Sequence, residues 1–165
     1  MSRWLRLMVF DLDCTLWPFH VDMFMYSPPF KRKNGQVVDS HGSTMQPYPE
    51  TLKVLEHWSK KCDIAVASRT TYPQGAESLL KLFGMDKFIK YKQIYPGCKL
   101  THFKKLKEQS GFEYSEMLFF DDEYRNIKDL RGAGVESVHI DPDVGVTMQL
   151  IDDIVSKKFH GVKLN

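Results

Sequence analysis

The chain has 165 residues, 42% hydrophobic and 27% charged, the balance of one ordinary globular domain with enough apolar material for a full core. Its 23 basic and 21 acidic residues leave a net charge of only +2, so no electrostatic footprint for nucleic acid exists and no such partner is expected. Cys14, Cys62 and Cys98 form no C-x-x-C pair and cannot all be bridged, and no apolar run is long enough for a signal peptide or a membrane span, so free thiols, no membrane partner and a cytoplasmic location are expected.

An apolar run from Leu5 to Phe10 predicts the first strand, and it leads directly into Asp11 and Asp13, with Thr15 close behind. Side chains alternate along a strand, so both carboxylates face one way if the extended geometry persists, at the carboxyl end where open α/β sheets keep their ligands. Two like charges that close repel; holding both ionised needs a cation, and otherwise one keeps a proton. A capping Asp beside a solvated Asp is the plain alternative, but an apolar run ending in two carboxylates, with no Lys or Arg after them, is a costly way to finish a strand.

Residues 14–47 are rich in Pro, Gly and aromatics and show no helical period. Asn34-Gly35, between Lys31-Arg32-Lys33 and Gln36-Val37-Val38, predicts a hairpin, so this stretch reads as a β-flap whose tip can lie over the two aspartates. Trp17, Phe19, Phe24, Tyr26 and Phe30 either line a pocket wall or pack the flap onto the body.

Pro49 and Glu50 open TLKVLEHWSKK, a helix in which Leu52, Val54, Leu55 and Trp58 recur on one side, and Asp63–Ala67 is the second strand. Ser68 and Arg69 follow it, where a hydroxyl and nearby backbone N–H groups can hold an anion, although a Ser at a helix start is also a common cap. After Tyr72-Pro73, QGAESLLKLFG predicts a helix with Leu79, Leu82 and Phe83 inward and Gly84 closing it, and FIKYKQIY predicts a strand. Lys99 follows Tyr95-Pro96-Gly97-Cys98 in a turn, where taken alone it is a solvated surface charge. From Thr101 to Gly111 the sequence is amphipathic through Phe103 and Leu106, and MLFFDDE is another apolar strand, ending in Asp121 and Asp122. IKDLRGAG supplies a short helix, SVHID a strand and VTMQLIDDIVSKKF a final helix. Alternating β and α elements imply an α/β fold: one Rossmann-like parallel sheet flanked by helices, a single domain over 1–165 with the flap inserted roughly at 14–47. Two strand-end acid pairs put up to four negative groups in one crevice, a set of hard oxygen donors suited to Mg²⁺, whereas the six histidines are scattered and offer Zn²⁺ no cluster.

Taken in order, Asp11-Leu12-Asp13-Cys14-Thr15, Ser68 after an apolar strand, Lys99, and Asp121-Asp122 after another resemble the four motifs of the haloacid dehalogenase superfamily of phosphotransferases. More narrowly, FDLDCTLWP, ASRT, IYPG-K and FFDDE resemble the small eukaryotic magnesium-dependent phosphatases, which lack a large cap domain. In many relatives the fourth motif is Gly-Asp with another acid four residues on; here Asp121 takes the glycine position and Asn126 the later one, which makes Asp122 the expected metal ligand and Asp121 a supporting residue.

The resemblance implies a phosphomonoesterase working through an aspartyl-phosphate. Asp11 would attack phosphorus while Asp13 protonates the leaving oxygen and later deprotonates water. Mg²⁺ would be bound by Asp11, Asp122 and the backbone carbonyl of Asp13. Ser68, Lys99, the N–H groups of Leu12 and Asp13, and Arg69 would hold the phosphoryl oxygens, with Arg69 alternatively on the leaving group. The implied partner is a phosphate ester, either a phosphotyrosine protein or a small sugar phosphate such as a phosphorylated glycated amine, with Trp17 and Phe19 able to stack on a phenyl ring. A magnesium-binding phospho-acceptor module without turnover, like a response-regulator receiver, is the alternative; receivers take their acceptor from a middle strand and have no counterpart of Asp13. Cys14, beside carboxylates, is expected to be a poorly reactive thiol.

Overall fold

A computed structural model describes residues 3–163. In chain order its elements are β1 (Trp4–Leu5), β2 (Leu7–Phe10), β3 (Lys31–Lys33), β4 (Gln36–Val38), β5 (Thr44–Met45), α1 (Thr51–Ser59), β6 (Asp63–Ser68), α2 (Pro73–Leu82), β7 (Tyr91–Ile94), α3 (Lys99–Ser110), β8 (Met117–Asp121), α4 (Tyr124–Ala133), β9 (Glu136–His139), α5 (Met148–Lys158) and β10 (Gly161–Val162). Five strands form a parallel sheet in the order β7-β6-β2-β8-β9, a doubly wound arrangement with β2 at its centre.

A parallel sheet has both faces covered, which is why its central strands are unbroken apolar runs. Leu7 and Val9 turn to one face, against Phe103 and Leu106 of α3 and Ile127 and Leu130 of α4. Met8 and Phe10 turn to the other, against Val54 and Leu55 of α1, Leu79 and Leu80 of α2, and Ile151 of α5. All four β2 side chains are fully buried, each worth about 1.5–3 kcal/mol on transfer from water. No helix of the described residues is long and apolar enough to cross a membrane.

Several elements depart from the sequence reading. α1 buries Thr51, Val54, Leu55 and Trp58, a strict i, i+3, i+4, i+7 stripe, and Leu52 falls one position off it and faces outward. α2 turns Ala76, Leu79 and Leu80 inward, with Phe83 just beyond its end, and leaves Leu82 at the rim. The FIKYKQIY strand begins only at Tyr91, because Asp86–Phe88 coil into a 3₁₀ turn. α3 begins two residues before Thr101: Cys98 is extended (φ −68°, ψ 138°) and caps it, so Lys99 is the first helical residue and not part of a turn.

The insert does form the hairpin, extended by β5 into a three-stranded antiparallel sheet. Asn34 (φ 52°) and Gly35 (φ 77°) are both left-handed, as the two-residue turn between paired Lys33 and Gln36 requires. The Asp39 carboxylate fixes the base of the insert by accepting from the N–H groups of Ser27 (2.9 Å), His41 (3.0 Å) and Ser43 (2.8 Å). Trp17 stacks on Phe19 at 5.7 Å and lies 6.0 Å from Phe83, while Phe19 meets Tyr26 edge-on at 5.0 Å. Trp17, Phe19 and Phe30 are buried, so they seat the insert on the body, and stacking of Trp17 or Phe19 on a substrate ring is ruled out by their burial. Phe24 is exposed.

Candidate active site

β2, β6 and β8 end side by side at the carboxyl edge of the sheet, where the strand order reverses around β2. The alternation of β2 continues past Phe10: Leu12 enters the core, whereas Asp11 and Asp13 face a cavity of about 280 Å³. Ser68, Arg69 and Thr70 line it from the end of β6, Lys99 from α3, Asp122 from the end of β8, and Arg125 and Asn126 from α4. Of the insert, only His20 and Asp22 contribute, and the β3–β5 hairpin takes no part. Asp11, Asp13, Ser68, Arg69, Lys99 and Asp122 are therefore brought together as the sequence suggests, while Leu12 can offer only its backbone N–H.

Lys99 is not a solvated charge. Its side chain is almost completely buried, and its ammonium donates to Asp11 Oδ1 (3.0 Å), Asp121 Oδ2 (2.9 Å) and the Ala67 carbonyl (2.7 Å), which uses all three of its N–H groups. Burial, the largest influence on Lys99, favours the neutral amine; Asp11 and Asp121 together outweigh it and hold the lysine above its ordinary pKa. Asp121, with no exposed surface, also accepts from Asn126 Nδ2 at 2.9 Å and from the Glu123 N–H at 2.9 Å. Both of its oxygens are thus committed to protein donors, and it anchors Lys99 without lining the cavity.

Carboxylate oxygens of Asp11, Asp121 and Asp122 lie within 4.8 Å of one another. Burial pushes the Asp11 carboxyl well above the usual range, and the charges of Asp121, Asp122 and Asp13 add to this against the pull of Lys99. Asp122 is raised too, by burial first and by Asp121 and Glu123, against a hydrogen bond with Asp11. Ionised together, these two carboxylates repel, and a divalent ion between them would relieve that repulsion. With Asp121 already satisfied, Asp11 and Asp122 are the donors with open lone pairs, and their hard oxygens fit a magnesium ion. Asp13, His20 and Asp22 also cluster within 4.8 Å, but Asp22 accepts from the Thr71 N–H and hydroxyl, both at 2.9 Å, and so ties the insert to the loop after β6.

Asp13 Oδ1 is fixed by Trp17 Nε1 (2.8 Å) and the Val21 N–H (3.1 Å), leaving Oδ2 directed toward His20, 3.8 Å away. Burial raises the Asp13 carboxyl, with the Trp17 and Val21 bonds opposing it. Cys14 turns the chain here in a left-handed conformation (φ 57°), and burial, then the nearby carboxylates, push its thiol up to about 12, so it stays protonated and inert at neutral pH. Ser68 Oγ accepts from the Thr70 N–H at 3.2 Å, which leaves the hydroxyl hydrogen free to donate. Arg69 makes only a loose ion pair, 4.0 Å from Glu123. His20, Asp22, Thr70 and Arg125 were not legible as site residues. His20 and Asp22 had their closeness to Asp13 in the chain as a signal; Arg125 had none.

Residues 3–159 match the acid phosphatase family. The chain is 45% identical over 141 residues to human magnesium-dependent phosphatase 1, covering 85% of this chain and 80% of that one. It is 36% identical over 133 residues to a HAD-like hydrolase superfamily protein of Schizosaccharomyces pombe, covering 73% and 77%. The solved N-terminal part of a Bacteroides fragilis protein, containing a phosphatase domain complexed with Mg, shares the fold with a TM-score of 0.70 at 16% identity, over 96% of this chain and 42% of that one. With the ordered motifs, the sheet topology and these likenesses in agreement, the chain belongs to the magnesium-dependent phosphatases of the haloacid dehalogenase superfamily.

Proposed function

We propose that the protein hydrolyses phosphate monoesters through an aspartyl-phosphate on Asp11. The observation that supports this most is the clamp on Asp11: Lys99 holds Oδ1, and Oδ2, 3.4 Å from the Thr15 hydroxyl, is left for attack. A bond forms between Oδ2 and phosphorus as the ester P–O bond breaks, and Asp13 gives its proton to the leaving oxygen. Asp13 then takes a proton from the water that attacks phosphorus, which frees inorganic phosphate and restores Asp11. A raised carboxyl pKa suits that double role, since the group must hold a proton in the first step. The Ser68 hydroxyl, the N–H groups of Leu12 and Asp13, and Arg69 would hold the non-bridging oxygens, a reading supported by Ser68, Arg69 and Asp13 lining the cavity. Because the N–H groups of Lys99 are all engaged, it acts by fixing and neutralising Asp11; a direct bond to a phosphoryl oxygen would require releasing Asp11, Ala67 or Asp121. Magnesium, held by Asp11, Asp122 and the Asp13 carbonyl, would offset the repulsion between an anionic nucleophile and an anionic ester.

The substrate is a phosphotyrosine side chain or a small sugar phosphate, a phosphorylated glycated amine among them. A cavity of about 280 Å³, walled on the insert side by only His20 and Asp22, supports a site open enough for either. A cytoplasmic setting belongs to the same reading, supported by three free cysteines. A phospho-acceptor without turnover would have no use for the buried, hydrogen-bonded Asp13. Release of phosphate from para-nitrophenyl phosphate, with Mg²⁺ and with EDTA, tests the reading: turnover only with metal, abolished in Asp11→Asn, is expected, and full activity of a clean Asp11→Asn preparation would sink the covalent scheme.

A further inference from the structure

One fully buried titratable side chain has no part in the chemistry above. His102 lies on α3, one turn beyond Lys99, with none of its surface exposed. Its Nδ1 is 2.9 Å from the carbonyl oxygen of Cys98, the residue that caps α3. Its Nε2 is 3.0 Å from the carbonyl oxygen of Ser68 and 2.9 Å from that of Tyr95. The imidazole stacks on the Tyr95 ring, with centroids 4.4 Å apart and planes 11° from parallel, and the Tyr95 N–H itself donates to Ser68 O at 3.0 Å.

Carbonyl oxygens accept hydrogen bonds and never donate them. An N–H on Nε2 is shared between the Ser68 and Tyr95 carbonyls, and one on Nδ1 reaches the Cys98 carbonyl. The carbonyls come from two stretches of chain brought together here: Ser68 at the end of β6, and the segment from Tyr95, just after β7, to Cys98 at the start of α3. Ser68 supplies the cavity's hydroxyl, and Cys98 immediately precedes the lysine that clamps Asp11.

We propose that His102 is a positioning residue for the phosphatase reaction. Bonded through its ring to these carbonyls, it fastens the serine loop, the turn after β7 and the first turn of α3 into one rigid unit, so that the Ser68 hydroxyl and the Lys99 ammonium keep a fixed spacing around phosphorus. The inference rests on the function proposed above. Its energetic lever is distance: a displacement of about 1 Å at such groups can cost on the order of 100-fold in rate.

Two measurements test it. Nitrogen NMR of the labelled wild-type protein is expected to show a His102 ring N–H held against exchange with solvent by the carbonyls it faces; an N–H that exchanges as fast as a free imidazole's would overturn the inference, with no variant needed. In the second, His102→Phe keeps a ring to stack on Tyr95 and removes both ring nitrogens. Its kcat on para-nitrophenyl phosphate is expected to fall roughly 10- to 100-fold while KM changes less than about twofold, the split that marks a loss of transition-state contacts. A lowered thermal midpoint with kcat intact well below that midpoint would show a packing residue only and overturn the proposal. Wild-type turnover in the same assay separates the two readings: an inactive wild type defeats the phosphatase reading, whereas an active wild type with an equally active His102→Phe defeats only this one.

Discussion

Lys99 sits where three strands deliver an acceptor each, and its replacement tests what it holds. Lys99→Met keeps most of the length and removes the charge, leaving Asp11 and Asp121 buried without a counter-ion. Stability by urea denaturation is expected to fall by about 3–5 kcal/mol, as when one partner of a buried pair is removed, and turnover to vanish. Trp17→Phe removes the indole N–H that favours the ionised form of Asp13, so the Asp13 carboxyl rises further. In the proposed scheme Asp13 acts first as an acid, so the alkaline limb of the kcat profile should move to higher pH; a limb that stays put would remove Asp13 from that role. The two aspartates could be found in the sequence because strand alternation is local information. Lys99 could not be placed by itself: a lysine after Pro-Gly-Cys looks solvated until its partners, 88 and 22 residues away, are brought to it. The committed state of Asp121 was hidden for the same reason, since it depends on donors from Lys99, Asn126 and Glu123.

At the level of elements, the periodicity of the sequence located each of the five α-helices but misjudged edges and faces. Period alone could not decide between Leu52 and Thr51 for the inner stripe of α1, because a threonine buried at a helix start finds its partner elsewhere: Thr51 Oγ1 donates to the Leu16 carbonyl at 2.7 Å. The insert was legible as a hairpin from Asn34-Gly35 but not in its placement. Instead of lying over the aspartates, it leans on α2, where the Arg32 guanidinium donates to the Leu82 carbonyl. Gly35→Val should therefore destabilise by about 1–2 kcal/mol, the usual cost of a left-handed β-branched residue, with kcat and KM unaltered; a changed kcat would show that the hairpin reaches the site after all. Asp22→Ala should act in the opposite sense, releasing Thr71 and the adjoining Ser68–Thr70 loop and raising KM while thermal stability changes little.

For the whole molecule, the acidic crevice links pH, metal and stability. Asp11, Asp13 and Asp122 all titrate above the ordinary 3.8 in the folded, metal-free protein. Between 3.8 and those raised values the folded chain holds protons that the unfolded chain has released, so the stability these groups contribute is complete below 3.8 and is lost as pH rises through the window. Magnesium competes for the same oxygens, and its benefit should grow as the protons leave. At a concentration of about 100 Kd a bound ion adds about 2.7 kcal/mol, so of two pH values above 3.8 the gain in thermal midpoint on adding Mg²⁺ should be larger at the higher one. An equal gain at both would remove Asp11 and Asp122 as the ligands. The parallel sheet itself was readable, because runs such as LMVF and MLFF are affordable only where both faces are covered.

The lysine clasp also ties chemistry to the completion of folding. Asp11, Ala67 and Asp121 lie at the ends of three neighbouring strands, and Lys99 reaches them only once α3 has docked. A chain still being synthesised carries Asp11 and Asp13 from the outset, yet Asp11 has no clamp until Lys99 and α3 have docked. Under the proposed mechanism a half-formed molecule would lack its clamped nucleophile, and the appearance of turnover during refolding should time the closing of the clasp without any spectroscopic label.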